Sequence, residues 1–110
     1  MIQVFEKLSA DEFMALSVDQ LAARFGCSKR HLSRLFHRYF GLSVAAMKME
    51  IRLYKALALL RDPDVKIISV AEECGFKYLG HFNTCFKRRF GTTPGQRRRM
   101  MGEEVIPPMQ

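Results

Sequence analysis

The sequence lacks the segments that direct a protein into or across a membrane. No apolar run approaches the roughly 20 residues that a membrane-spanning helix requires. The N-terminal residues Met1–Phe5 show no basic region followed by an apolar core, so no signal peptide is visible. The cysteines Cys27, Cys74 and Cys85 are an odd number, which without a secretory signal predicts reduced thiols and a cytoplasmic location.

The sequence also lacks the common signatures of enzymes. It contains no Gly-rich phosphate loop, no G-x-S-x-G and no H-E-x-x-H, so we do not expect an enzyme. Cys27 with His31, and His81 with Cys85, are each four residues apart and could supply two metal ligands. Two ligands are too few for a metal site. We therefore expect no metal and no cofactor.

Acidic residues are scarce relative to basic ones. The chain has 11 Asp and Glu against 18 Lys and Arg, which gives a formal net charge of +7 over 110 residues. This balance favours a polyanionic partner, either nucleic acid or anionic lipid. The alternative is a soluble protein whose positive charge serves no binding function. The basic residues alternate with apolar positions and do not form one amphipathic helix, which argues against a membrane partner.

A long helix is predicted at the centre of the chain, from Ser43 to Arg61. This segment has no Gly or Pro, its first residue can serve as N-cap, and Pro63 follows its end. Lys48, Arg52 and Lys55 fall on one narrow polar face, and apolar residues fill the rest. Such a wide apolar arc predicts packing on more than one side.

The segments on either side of this helix are two versions of one pattern. The upstream copy spans residues 21–41 and the downstream copy residues 70–91. Their ends match as F-x-R-x-F-G at an offset of 50, whereas Gly26 and Gly75 match at an offset of 49. The second copy therefore has one extra residue in its turn. Two copies suit a duplicated binding unit and are too few for a solenoid.

Each copy predicts a helix, a turn containing Gly and a second helix, which is the helix-turn-helix signature. Ser17 with Gln20 forms a capping box, and Ser28 is a candidate N-cap for the next helix. The four predicted helices are Val18–Phe25, Lys29–Phe40, Ile67–Cys74 and Leu79–Phe90.

Shorter helices are predicted at both ends, which makes the fold all-α with about seven helices. A first helix runs from Ile2 to about Glu12, or else Ser9 and Glu12 form a capping box that starts a new turn. Thr93 and Pro94 fit the N-cap and first residue of a short last helix. The tail beyond it lacks periodicity, and we expect it to be loose.

The second helix of the upstream copy carries a stripe of positive charge. Arg30, Arg34 and Arg38 follow one another at steps of four, with Lys29 and Ser33 beside them. A charged stripe is usually a solvated face, but this one has a single sign and no acidic partners. A helix that presents Arg in this way can enter a major groove and pair with guanine O6 and N7.

With both copies and the joining helix in view, the sequence resembles the DNA-binding domain of the AraC/XylS family of bacterial transcription regulators. The resemblance covers about residues 4–99, and its most specific parts are Val70–Phe76, His81-Phe82 and Phe86–Pro94. It implies two lobes, each offering one recognition helix to successive major-groove segments of double-stranded DNA about 10 bp apart. The implied organisation is a first helix-turn-helix subdomain (1–42), a linker helix (43–61), a second subdomain (62–100) and a loose tail (101–110).

The resemblance also implies which residues read DNA. The base-reading candidates are Arg30, Ser33 and Arg34 in the first lobe, and Leu79, Gly80, His81, Asn83 and Thr84 in the second. The residues expected to contact phosphates are Lys29, Arg38, Lys87, Arg88, Arg89 and Arg98.

The sequence departs from the family pattern in three respects. The second helix has no Arg or Lys at its base-reading positions, so we predict that the first lobe supplies most of the sequence discrimination. Arg97 stands where the family usually has an aromatic residue, which affects the packing of the last helix. Val44 replaces a common Pro, which is harmless in the first turn of a helix.

An alternative function is a protein-interaction module, for example one that contacts RNA polymerase, with weak or non-specific DNA binding. Family regulators often carry an effector-binding or dimerisation domain, usually upstream, for which 110 residues leave no room. The chain is then either a single-domain regulator or a C-terminal piece of a longer protein. Because Met1 lies close to the first predicted helix, we favour the second possibility, a C-terminal piece of a longer protein.

Overall fold

The computed structural model describes residues 8–104, with the side chains of residues 8–101. Within that range the chain forms seven helices and no strand, which confirms the all-α prediction. The helices are α1 (Ala10–Ala15), α2 (Val18–Arg24), α3 (Lys29–Phe40), α4 (Val44–Leu59), α5 (Ile67–Glu73), α6 (Leu79–Phe90) and α7 (Pro94–Glu104). There are two compact units, the first ending at Met49 and the second beginning at Glu50. No helix in the described range is long and apolar enough to cross a bilayer.

Four helices begin at the hydroxyl side chains that the sequence predicts. In the capping box of α2, the Ser17 hydroxyl accepts from the Gln20 N–H at 3.1 Å, and the Gln20 side chain accepts from the Ser17 N–H at 2.9 Å. Ser28 and Ser43 each accept from the backbone N–H three residues on, at 3.1 Å. Thr93 starts α7 in the same way, again at 3.1 Å. These bonds satisfy N–H groups that have no partner within the helix.

The start of α1 corrects the prediction of one helix from Ile2 to Glu12. Ser9 is the N-cap of α1, with φ −74° and ψ 161°, and forms a capping box with Glu12. This extended backbone cannot lie inside a helix, so an unbroken helix through Ser9 is wrong and the capping-box alternative is right. The part of the prediction that falls on residues 2–7 lies outside the described residues.

Four helix ends also differ from the prediction. Helices α2 and α5 end at Arg24 and Glu73, each one residue before the predicted Phe25 and Cys74. The central helix α4 ends at Leu59, two residues before the predicted Arg61. The last helix α7 continues to Glu104, so the expectation of a loose tail from residue 101 is wrong for residues 101–104. Met and Glu favour helix, which offsets the one Gly in this stretch. The rest of the tail, residues 105–110, lies outside the described residues.

In the first unit, α2 and α3 pack as the two helices of a helix-turn-helix. Phe13 of α1 stacks on Phe36 of α3 with ring centroids 5.7 Å apart and planes 6° from parallel. Leu21 of α2 and Leu32 of α3 are fully buried, and Ala22 provides a small residue beside them. The inner face of α3 is therefore fixed by apolar contacts, and its outer face points to solvent.

In the second unit, aromatic rings fill the core around α6. Phe82 and Phe86 are fully buried. Phe76, from the turn before α6, lies 5.1 Å from Phe82, and Phe90 lies 4.8 Å from Phe86 (ring centroids). Buried residues from α4, α5 and the flanking segments complete this core: Leu53, Ala56, Leu60, Val70, Ala71 and Cys74. The result matches the first unit, because one face of α6 is buried and the other is exposed.

Candidate nucleic-acid interface

The turns of the two helix-turn-helix motifs differ in length as the sequence predicts. Residues 25–28 join α2 to α3, whereas residues 74–78 join α5 to α6, so the second turn is one residue longer. Gly26 and Gly75 both adopt positive φ, +68° and +89° respectively. This left-handed conformation lets the chain leave one helix and enter the next within a short turn.

The outer face of α3 exposes every candidate that the sequence assigns to it. Lys29, Arg30, Ser33, Arg34 and Arg38 are all exposed. Among the described residues none of the four cations has an acidic partner, since both ion pairs found there involve other arginines. The first turn of α3 also contains no acidic residue. The α3 face is therefore an unneutralised positive surface on the second helix of the motif.

The outer face of α6 has a different chemistry. Leu79, Gly80, His81 and Thr84 are exposed, and Asn83 is half-buried. The His81 ring meets Phe76 edge-on, with centroids 5.5 Å apart, which restrains its orientation. This face offers apolar and neutral polar groups in its first two turns, and its cations follow only later, at Lys87 and Arg88, which are both exposed.

Arg89, expected to contact phosphate, is held within the second unit. Its Nε donates to both carboxylate oxygens of Glu50, at 2.7 and 3.0 Å, and its Nη2 donates to the Tyr54 hydroxyl at 3.0 Å. Its guanidinium lies 5.0 Å from the centre of the Phe90 ring. Hydrogen bonding to Glu50 raises the pKa of Arg89. Arg89 thus ties α6 to α4.

Arg98, also expected to contact phosphate, is similarly engaged. Its Nε donates to the Leu60 carbonyl and its Nη2 to the Asp62 carbonyl, both at 3.1 Å. Cations often satisfy the free carbonyls at the end of a helix in this way. The neighbouring Arg97 is half-buried, and its Nε has no hydrogen-bond partner among the described residues. This unpaired group stands where the family pattern has an aromatic side chain.

Sequence reasoning missed the role of the polar face on α4. Lys48 Nζ donates to the Leu16 carbonyl at the C-cap of α1. Lys55 Nζ donates to the Glu73 carbonyl at the end of α5, at 3.2 Å. Each bond lies within one unit and satisfies a carbonyl at a helix C-terminus. The narrow polar stripe on an otherwise apolar helix indicated that these side chains have a role, but it did not identify the carbonyls to which they donate.

The cysteines do not form part of a larger ligand cluster in the described part of the chain. That part contains no group of three or more His, Cys, Asp or Glu side chains placed to hold a metal ion. Cys27 and Cys85 are half-buried, and Cys74 is buried. Burial raises the pKa of the Cys74 thiol, which favours its protonated form.

Comparison with known proteins identifies the family. A family model described as a helix-turn-helix domain matches residues 21–100. The transcriptional activator RhaS of Escherichia fergusonii is 39% identical over 80 residues, which are 73% of this chain and 29% of RhaS. The chain spans 25–32% of the length of the first curated relatives that it matches.

Two solved structures extend this likeness to the fold. A transcriptional regulator from Chromobacterium violaceum, of the AraC-type DNA-binding domain-containing proteins, has 34% identity and a TM-score of 0.69; the match covers 76% of this chain and 75% of that one. The DNA-binding domain of the global transcriptional factor AdpA, solved in complex with a target DNA, has 27% identity and a TM-score of 0.70, with coverages of 90% and 86%. This chain belongs to the AraC-type family of helix-turn-helix DNA-binding domains.

Proposed function

We propose that the chain is the DNA-binding part of a transcription regulator that recognises double-stranded DNA by sequence. In this proposal α3 and α6 enter successive major-groove segments about 10 bp apart. The observation that carries it is the outer face of α3, where four exposed cations lie without acidic partners on the second helix of a helix-turn-helix. The likeness to the AdpA domain, which was solved with its target DNA, supports the same function.

The two recognition helices would contribute unequally to base reading. On α3, Arg30 and Arg34 are exposed and can each donate two hydrogen bonds to a guanine. On α6, Asn83 can pair with adenine, and Leu79 can contact a thymine methyl group. Because α3 offers two Arg side chains that can form bidentate pairs with guanine, whereas Asn83 is the one α6 candidate suited to a bidentate base pair, we assign most of the sequence discrimination to α3.

Phosphate contacts would come first from the cations that remain exposed and unpaired: Lys29, Arg38, Lys87 and Arg88. Each phosphate neutralised by such a cation releases a counterion, so four contacts predict a log–log salt slope of about −3 to −4. Arg89 and Arg98 keep further N–H groups that could reach DNA. Because both already form hydrogen bonds within the second unit, we assign them first to stabilising that unit.

Selection of bound sequences from random duplex DNA tests this function, followed by affinity measurements at two salt concentrations. A motif with one sharp half-site and a vaguer one about 10 bp away is the expected result. Binding that depends on salt but yields no motif would contradict sequence-specific recognition. An absence of binding even at low salt would favour the protein-interaction module instead.

Three further proposals concern the whole protein. These are a contact with RNA polymerase, an effector or dimerisation domain outside these residues, and a cytoplasmic location that gives access to bacterial DNA. Co-purification of RNA polymerase with the full-length regulator on promoter DNA tests the first. Failure to recover the polymerase under conditions where the regulator stays bound to DNA would contradict it.

A further inference from the structure

The two recognition helices begin with different residues at the same structural position. Ser28 is the N-cap of α3, and its hydroxyl accepts a hydrogen bond from the His31 N–H at 3.1 Å. Tyr78 is the N-cap of α6, with extended backbone at φ −126° and ψ 132°, but its side chain makes no capping hydrogen bond. Replacing a hydroxyl cap by a residue that cannot cap usually weakens a helix. Tyr78 therefore does not contribute to the stability of α6 as Ser28 contributes to that of α3.

The Tyr78 side chain is instead turned to solvent beside the candidate base-reading residues. It is 72% exposed, the highest value among the large hydrophobic residues that the structure describes. Phe76, two residues earlier, is buried and anchors the turn, so Tyr78 is not needed to hold the turn in place. The adjacent Leu79 and Gly80 are exposed as well. A large phenol thus stands at the leading end of α6, next to its neutral outer face.

The local electrostatics suit an anion at this position. The first turn of α6 contains no acidic residue, and the neighbouring Lys77 is exposed and positive. If α6 enters the major groove as proposed, Tyr78, the residue before it, lies near the rim of the groove, where the sugar-phosphate backbone passes. Tyr hydroxyls are among the neutral groups that donate to phosphate oxygens there.

We propose that Tyr78 contacts DNA, with its phenolic hydroxyl donating to a phosphate oxygen on the strand that borders the groove entered by α6. This inference rests on the proposed DNA-binding function. A neutral donor adds affinity and fixes the orientation of the helix, but it releases no counterion. Its contribution should therefore be independent of salt concentration and of base sequence.

The substitution Tyr78→Phe in the 110-residue chain is the direct test, because it keeps the ring and removes only the donor. Binding to the selected DNA and to a random-sequence duplex should weaken about tenfold in both cases, with an unchanged salt slope. The melting temperature should not change, because Tyr78 is exposed and its side chain makes no capping hydrogen bond. Tyr39→Phe is the matched control: Tyr39 is also exposed, at 51%, but lies at the other end of its helix, and its variant should bind like wild type.

The substitution Tyr78→Ser separates DNA contact from helix stability. It gives α6 the hydroxyl cap that Ser28 gives α3, so the melting temperature should rise while DNA affinity falls at least as far as in Tyr78→Phe. A merely structural residue could not produce these opposite changes.

The outcomes distinguish this inference from the function on which it rests. If wild type binds DNA and Tyr78→Phe binds within twofold of it, the Tyr78 contact is wrong and the proposed function stands. A loss confined to the selected DNA would overturn the phosphate assignment, because it would indicate a base contact. Failure of the wild-type chain to bind any duplex at low salt would overturn both.

Discussion

Gly41 and Gly91 give a stability prediction that depends on the backbone alone. They end α3 and α6 with φ of +76° and +84°, and their N–H groups donate to the His37 and Lys87 carbonyls at 2.8 and 2.7 Å. A Cβ atom added at either position would meet nothing within 4 Å. The effect of alanine is then the cost of the left-handed conformation, about 1–2 kcal/mol for an L-residue. Gly41→Ala and Gly91→Ala should therefore destabilise their own units by the same amount.

Gly95 is the control, because it should change stability in the opposite direction. It lies in the first turn of α7 at a φ outside the positive range, and a Cβ atom there would also meet nothing within 4 Å. Gly95→Ala removes flexibility from the unfolded chain without strain in the folded one. It should raise the free energy of unfolding by about 0.5–1 kcal/mol.

Urea denaturation followed by circular dichroism measures all three variants, with the free energy of unfolding extrapolated to water. The predicted order is Gly95→Ala above wild type, with Gly41→Ala and Gly91→Ala below it and close to each other. A Gly91→Ala variant as stable as wild type would refute the left-handed conformation of Gly91 at the end of α6. A difference of more than about 1 kcal/mol between Gly41→Ala and Gly91→Ala would refute the argument that only the backbone conformation matters.

Two further predictions concern titrating groups. Hydrogen bonding to Ser9 lowers the pKa of Glu12, so the stability that Glu12 contributes is present above its ordinary value of about 4.3 and is lost as pH falls through the lowered pKa. Glu12→Gln keeps a capping box of the kind seen at Ser17, and its unfolding free energy should fall less than that of wild type from about pH 5 to pH 3; parallel curves would contradict this. The buried Cys74 thiol, with its raised pKa, should react with a disulfide reagent more slowly than the half-buried Cys27 and Cys85 in the folded chain, and at a similar rate in urea. Fast labelling of Cys74 without unfolding would contradict this burial.

Local sequence chemistry was enough to predict most helix starts and the buried faces. Ser17, Ser28, Ser43 and Thr93 cap helices as predicted, because a hydroxyl three residues before a free N–H is a local device. The extra residue in the second turn could also be predicted, because the offset between the two copies rises from 49 residues before the turn to 50 after it. The start of α1 was ambiguous, because apolar spacing and the Ser9 capping box favoured different starting points.

The partners of individual cations could not be predicted, because they are distant in sequence. Arg89 pairs with Glu50, 39 residues away, and Lys48 with the carbonyl of Leu16, 32 residues away. Helical periodicity places each side chain on a face but does not identify the element opposite it. Arg89 and Arg98 therefore looked like free cations on an exposed surface, whereas the fold of the second unit uses both.

The central claim is that α3 supplies most of the sequence discrimination. The most direct measurement is the affinity of wild type, Arg34→Ala and Thr84→Ala for the selected DNA and for random duplex at one salt concentration; Thr84 is the position equivalent to Arg34 in the second copy. We predict that Arg34→Ala weakens binding to the selected DNA by about 1–3 kcal/mol more than binding to random DNA, and that Thr84→Ala shows a smaller difference. Equal losses on both DNAs for Arg34→Ala, or a larger difference for Thr84→Ala, would contradict the claim.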